Sequence, residues 1–208
     1  VIAGLRRFLE AREAAAPSER CELCAAPVGP GHGHLVAVET RAIACACRPC
    51  WLLFAPQGAA GARYRAVPER VLRLGRAVVS DAQWDGVQVP VGLAFFFRNS
   101  RLGRAVALYP SPAGATECAL DPATWSELID GTPELAALEP DVEALLVDRR
   151  AGGDAAFVVP IDTCYALVGL VRRHWKGFDG GEEARRAIDG FFDELGRRCA
   201  REVAPCPS

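Results

Sequence analysis

Two Cys-x-x-Cys pairs, Cys21-Glu22-Leu23-Cys24 and Cys47-Arg48-Pro49-Cys50, stand twenty-two residues apart in this chain. That spacing matches a tetrahedral metal site. Two residues between thiolates let the backbone turn so that both sulfurs aim at one ion about 2.3 Å away, and the ion closes the loop between the pairs.

Between the pairs, Leu35 to Ala44 reads as two short extended runs around a turn near Thr40-Arg41. After the second pair, Trp51-Leu52-Leu53-Phe54 begins a short helix, which puts the last two ligands at its N-terminus. Knuckle, hairpin and helix in that order resemble a treble-clef zinc finger; a flatter zinc ribbon and a rubredoxin-like iron site use similar spacing. The expected ligands are Cys21, Cys24, Cys47 and Cys50. Cys45 lies two residues before Cys47 and could replace it, and His32 and His34 could supply nitrogen. Two complete pairs favour all-sulfur ligation, and a closed all-cysteine site favours zinc over iron. A redox Cys-x-x-Cys usually occurs singly beside a βαβ pattern, which is not seen here. Four thiolates leave zinc no open position for water or substrate, so the motif argues for a scaffold instead of a catalyst.

The remaining chain can bury a substantial core: 208 residues, 50% of them hydrophobic, fit one domain plus a small module. Residues 1–76 carry eleven Arg against six acids, and residues 77–208 carry thirteen Lys and Arg against twenty acids, so formal charges of +5 and −7 give a net −2. Zinc on four thiolates adds a further −2 locally, leaving the N-terminal third only mildly basic and nucleic-acid binding a minor alternative. Val1 to Glu13 lacks the apolar core of a secretory signal, and no stretch approaches the roughly twenty apolar residues of a membrane span. With nine cysteines, an odd number, a reducing cytoplasm is the expected compartment. Cys118 and Cys164 read as small hydrophobes and Cys199 and Cys206 as incidental.

Three segments follow: an N-terminal helix in 1–17, the finger in 18–58 and an α+β body in 59–208. Ile2, Leu5, Phe8 and Leu9 share one face of the first. A basic connector with Arg63, Arg65, Arg70, Arg73 and Arg76 leads into the body, either as a solvated face or toward an acidic partner. Asp81 to Trp84 reads as a capped helical turn. Val91 to Phe97 and Arg104 to Tyr109 flank a polar turn, and Val142 to Val147 with Ala155 to Pro160 repeats the pattern. Two hairpins predict a four-stranded antiparallel sheet of duplicated aspect. Asp162 can cap a helix through Trp175, and Ala184, Ala187, Ile188, Phe191, Phe192 and Leu195 make an apolar stripe on a last one. Helices are expected on one face of the sheet.

No catalytic or cofactor-binding constellation stands out. Tyr109 to Glu117 is a Pro-rich stretch that is either a binding loop or a rigid strand exit, and Arg172 to Lys176 is a basic cluster at a helix end. Cys164, His174 and Asp162 cannot form a triad on one helix, because ten positions separate Cys and His by about 15 Å. No Walker loop, dinucleotide fingerprint, nucleophile elbow or His-Glu-x-x-His is present.

Cys21 to Cys24, Ala46 to Cys50, Pro90 to Phe97, Tyr109 to Glu117, Leu138 to Leu146 and His174 to Gly181 together resemble an uncharacterised actinobacterial family. Its members are often encoded among genes for nickel-iron hydrogenase and its maturation. The resemblance implies an accessory role with a hydrogenase subunit or maturation factor as partner; it implies no catalytic residue.

Overall fold

The computed structural model describes residues 19–56, 63–75, 78–118, 120–150, 155–177 and 180–203. The helix expected in 1–17, Arg76 and Cys206 lie outside them.

The finger begins with a knuckle. The chain turns back at Cys21–Cys24, with the Cys21 amide donating to the Ala26 carbonyl at 2.8 Å and the Ala25 amide to the Cys21 carbonyl at 2.8 Å. Strand β1 (Gly33–Ala37) then pairs antiparallel with β2 (Ala42–Ala46), bringing Leu35 opposite Ala44 and His34 opposite Cys45. Helix α1 (Arg48–Phe54) follows, its N-cap Cys47 and its first turn carrying Pro49 and Cys50. Pro at this position costs the helix nothing, because the missing N–H has no acceptor there. Strand β3 (Tyr64–Ala66), past the expected finger limit at 58, pairs with the free edge of β1 and makes a three-stranded sheet in the order β2-β1-β3.

Side chains alternate across β1. Leu35 belongs to a small core with Cys21, Ala46 and Cys50, whereas Val36 is buried in the main core of the body. At Gly33 a Cβ would sit 2.5 Å from the Trp51 ring. Only glycine admits the indole there, and the indole N–H donates to the Val67 carbonyl at 3.0 Å.

In the body, β4 (Leu72–Arg73), β5 (Leu93–Asn99), β6 (Arg104–Ser111), β7 (Gly114–Cys118), β8 (Glu143–Asp148) and β9 (Ala155–Pro160) form one antiparallel sheet in the order β4-β9-β8-β5-β6-β7. The two expected hairpins are its centre, joined by β5 and β8, and β4 and β7 extend it at the edges. The expectation of helices on one face is corrected. Helices α5 (Ile161–His174) and α6 (Gly181–Val203) cover one face, while α2 (Asp81–Val87), α3 (Pro122–Gly131) and α4 (Pro133–Ala136) lie against the other. The strands show why. Phe95, Phe97, Leu146 and Phe157 point to one core, and Phe96, Leu145 and Val158 to the opposite one, so both faces are apolar and both must be covered.

Several local expectations are refined. Ser80, not Asp81, caps α2, in a reciprocal pair with Gln83. Pro160 precedes α5, so Asp162 sits in the first turn instead of capping. Tyr109 to Glu117 is not a loop: it is the tight turn of the β6–β7 hairpin, where Ser111 Oγ donates to the Gly114 carbonyl at 2.9 Å and accepts from the Ala113 amide at 3.2 Å. Thr116 Oγ1 lies 3.1 Å from Ser111 Oγ, and Glu117 pairs with Arg104 at 3.0 Å. Among the described residues no helix is long and apolar enough to cross a membrane.

Candidate metal centre

The knuckle, the end of β2 and the start of α1 bring Cys21, Cys24, Cys47 and Cys50 together with their sulfurs within 4.8 Å of one another, an arrangement that can hold a metal ion. Cys24 Sγ and Cys47 Sγ are 3.6 Å apart. That is far beyond a disulfide and close to the ~3.8 Å edge of a tetrahedron with metal–sulfur bonds of about 2.3 Å. Cys21 and Cys50 are buried, Cys47 is half-buried and Cys24 is exposed, so the cluster has an inner and an outer side. Trp51 packs beneath it, with the Arg48 guanidinium 4.6 Å over its ring.

The electrostatics of the group suit a cation. Burial raises the Cys21 thiol, but amide N–H groups of Cys47, Cys24 and Leu23 aimed at its sulfur bring it down to about 6. Cys24 receives a lowering hydrogen bond from the Ala26 amide, yet the neighbouring Cys21 and Cys47 hold it above its ordinary value. Cys50 is pushed up to about 12 by the sulfurs of Cys47 and Cys24 and by burial. One thiolate is therefore supported by the backbone, and further ones repel it unless a cation lies between them. Loading a metal then displaces protons, including those of Cys24 and Cys50.

Cys45, His32 and His34, the alternative ligands, fall outside this group. They form a second one, with one ring nitrogen of each histidine and the Cys45 sulfur within 4.8 Å of one another. It lies on the opposite face of β1 and β2, toward the body, where His34 Nδ1 is 2.7 Å from Asp162 Oδ2. Asp162 draws the His34 imidazole above its ordinary value, against the opposing effect of burial. A bond between residues 128 apart in sequence has no local signal, although the Gly31-His-Gly-His34 run marked one half of it.

Two of the connector arginines, Arg70 and Arg65, find acidic partners within this chain. Arg70 makes a two-pronged contact with Glu143, at 2.9 and 2.8 Å, and Glu143 is only 2% exposed. Arg65 reaches Glu139 at 3.5 Å and Asp141 at 3.6 Å. Arg73 lies over the Phe157 ring. Sequence reasoning missed these carboxylates; acids inside the otherwise apolar Asp141 to Asp148 run were the available sign. The remaining suggestions stay apart. Cys164 is fully buried and its thiol is pushed well up by burial, Asp162 faces His34, and His174 and Lys176 both bind Glu183 at the start of α6.

No curated protein and no solved structure matches the chain. A family model does, over residues 20–199, a span that takes in the finger and nearly all of the body. The protein thus belongs to DUF5947, a family of unknown function.

Proposed function

We propose that this is a non-catalytic zinc-binding accessory protein of nickel-iron hydrogenase maturation or assembly, with Cys21, Cys24, Cys47 and Cys50 as the zinc ligands. The observation that carries the metal reading is the convergence of four sulfurs from two distant segments, with the Cys21 thiol lowered and those of Cys24 and Cys50 raised. Four thiolates complete the shell of a zinc ion, so its work is to hold the finger, not to bind substrate. Finger (18–58) and body (59–208) act in this reading as a presenting module and a platform. The hydrogenase connection rests on the sequence resemblance alone. Purified protein mixed with hydrogenase subunits and maturation factors should retain one of them on a size-exclusion column; failure of every component to co-elute contradicts the assembly role without touching the metal reading.

A rubredoxin-like iron centre is the second reading, favoured by one observation: Cys24 is exposed, which would bring an electron to the surface. Red, reversibly reducible protein supports it, and colourless zinc protein removes it. Nucleic-acid binding is weakened by the occupation of Arg65 and Arg70 with carboxylates of the body.

A further inference from the structure

We propose that His32, His34 and Cys45 form a second metal site, separate from the four-cysteine cluster, which takes a borderline divalent transition ion and leaves one coordination position open. The site stands on the alternation of β1. Gly33 and Leu35 face Trp51 and the finger core, so His34 faces the body, and Cys45, its direct cross-strand neighbour, shares that side. His32 precedes Gly33 and joins them, its ring 4.8 Å from that of His34 in an edge-on contact. One nitrogen of each ring and the Cys45 sulfur come within 4.8 Å of one another.

The hydrogen bonds decide which nitrogens are available. His34 Nδ1 lies 2.7 Å from Asp162 Oδ2, and His32 Nδ1 lies 3.0 Å from the Gly29 carbonyl, with Glu19 Oε2 at 3.5 Å. Carbonyl and carboxylate oxygens only accept here, so each Nδ1 carries the proton and each neutral ring keeps its lone pair on Nε2. Metal-binding histidines are held this way, the far N–H donated to a carboxylate or a backbone carbonyl. His32 supplies the independent sign of a missing ligand. Its side chain is 10% exposed, and its Nε2 is buried with no hydrogen-bond partner among the described residues. Leaving such an atom unsatisfied is costly, and a metal ion would satisfy it.

Two imidazoles and a thiolate suit Zn²⁺, Co²⁺ or Ni²⁺ and offer nothing to Mg²⁺ or Ca²⁺, which need oxygen. Three protein ligands leave a fourth position for water or an incoming ligand, the pattern of reactive and exchangeable sites. His32 and His34 also line a cleft of about 500 Å³ together with Glu69, Asp162, Thr163 and Arg198. The site therefore complements the closed one, which holds its metal on all sides.

Cobalt titration of the reduced, metal-stripped full chain, followed by visible absorption and proton NMR, tests this. Two equivalents should bind. The first gives strong all-thiolate charge-transfer bands; the second, weaker, adds one thiolate's share and two hyperfine-shifted, exchangeable imidazole N–H signals, those of His32 and His34. Cys45→Ser and His32→Gln should each reduce the uptake from two equivalents to one and keep the all-thiolate bands, which report an intact finger. Saturation of the wild type at one equivalent, or a second equivalent without the two imidazole N–H signals, overturns the proposal, whatever the variants do. So does a second equivalent that survives both substitutions.

Discussion

Finger and body are held together by different physics. The finger's small core consists of Cys21, Leu35, Ala46 and Cys50, and two of those four residues are members of the sulfur cluster. The body has a six-stranded sheet with an apolar core on each face, containing residues as large as Phe95, Phe96 and Phe157. Hydrophobic burial can support the second; the first has a much smaller apolar core, and in the proposed reading a metal ion crosslinks it. They nevertheless meet closely. Val36 enters the body's core, Arg65 and Arg70 bind its carboxylates, and His34 binds Asp162. Loss of the crosslink should therefore be felt first within the finger and then at this seam.

Removal of the metal, by chelation or by Cys24→Ser with Cys47→Ser, is the largest perturbation, since binding energy on the order of 10 kcal/mol acts as folding energy in such modules. Hydrogen exchange should lose protection in β1, β2 and β3 and keep it in β5, β8 and β9. Equal loss in both sheets would mean that the body depends on the metal as well. Phe96→Ala makes the converse cut. Phe96 is fully buried between the sheet and the helices over its second face, so urea denaturation should report a loss of about 3–5 kcal/mol. Metal affinity at the four cysteines should stay unchanged, and a tenfold loss of affinity would break the separation of the two regions.

Arg70→Ala addresses the seam and should cost about 2–3 kcal/mol by the same assay, because it strands a nearly buried Glu143 whose other partner is the Glu139 amide. Arg70→Ala combined with Glu143→Gln should recover part of that loss; no recovery would mean that packing, not charge, dominates.

The smallest effect belongs to Glu183, whose carboxyl is held below its ordinary value by Lys176 and then by His174. A depressed carboxyl contributes stability that is full above about pH 4.5 and is lost as pH falls through the lower folded value. Glu183→Gln should therefore flatten the acid limb of a melting-temperature profile below that pH and leave neutral-pH metal content unaltered. An unchanged acid limb would remove the α5–α6 contact from the stability of the body.

Much of this architecture could be read before folding. Cysteine spacing located the finger because ligand geometry limits how the backbone turns, and the knuckle, hairpin and helix all lie where Cys21 to Phe54 put them. Both central hairpins follow from apolar runs broken by polar turns. Coverage of the second sheet face was legible too, in the unbroken apolar runs Leu93 to Phe97 and Ala144 to Val147, since a strand with one wet face alternates. Asp121-Pro122 carried the start signal of α3 in the same way. Other features had no local trace. Pairing of β4 with β9, of Arg70 with Glu143 and of His34 with Asp162 joins residues 73 to 128 positions apart in sequence or more than eighty in the case of the strands. Only the folded chain brings them into range. The same holds for the second cluster: Cys45 and the two histidines were visible as donors, but only strand alternation separates them from the four cysteines.

The most direct measurement is metal analysis with X-ray absorption at the metal edge on untagged Cys45→Ser protein, purified without added metal. One tightly held zinc ion in a shell of four sulfurs at about 2.3 Å is the expected result. Metal-free protein in which Cys21, Cys24, Cys47 and Cys50 are all alkylated while the chain is folded would contradict the account.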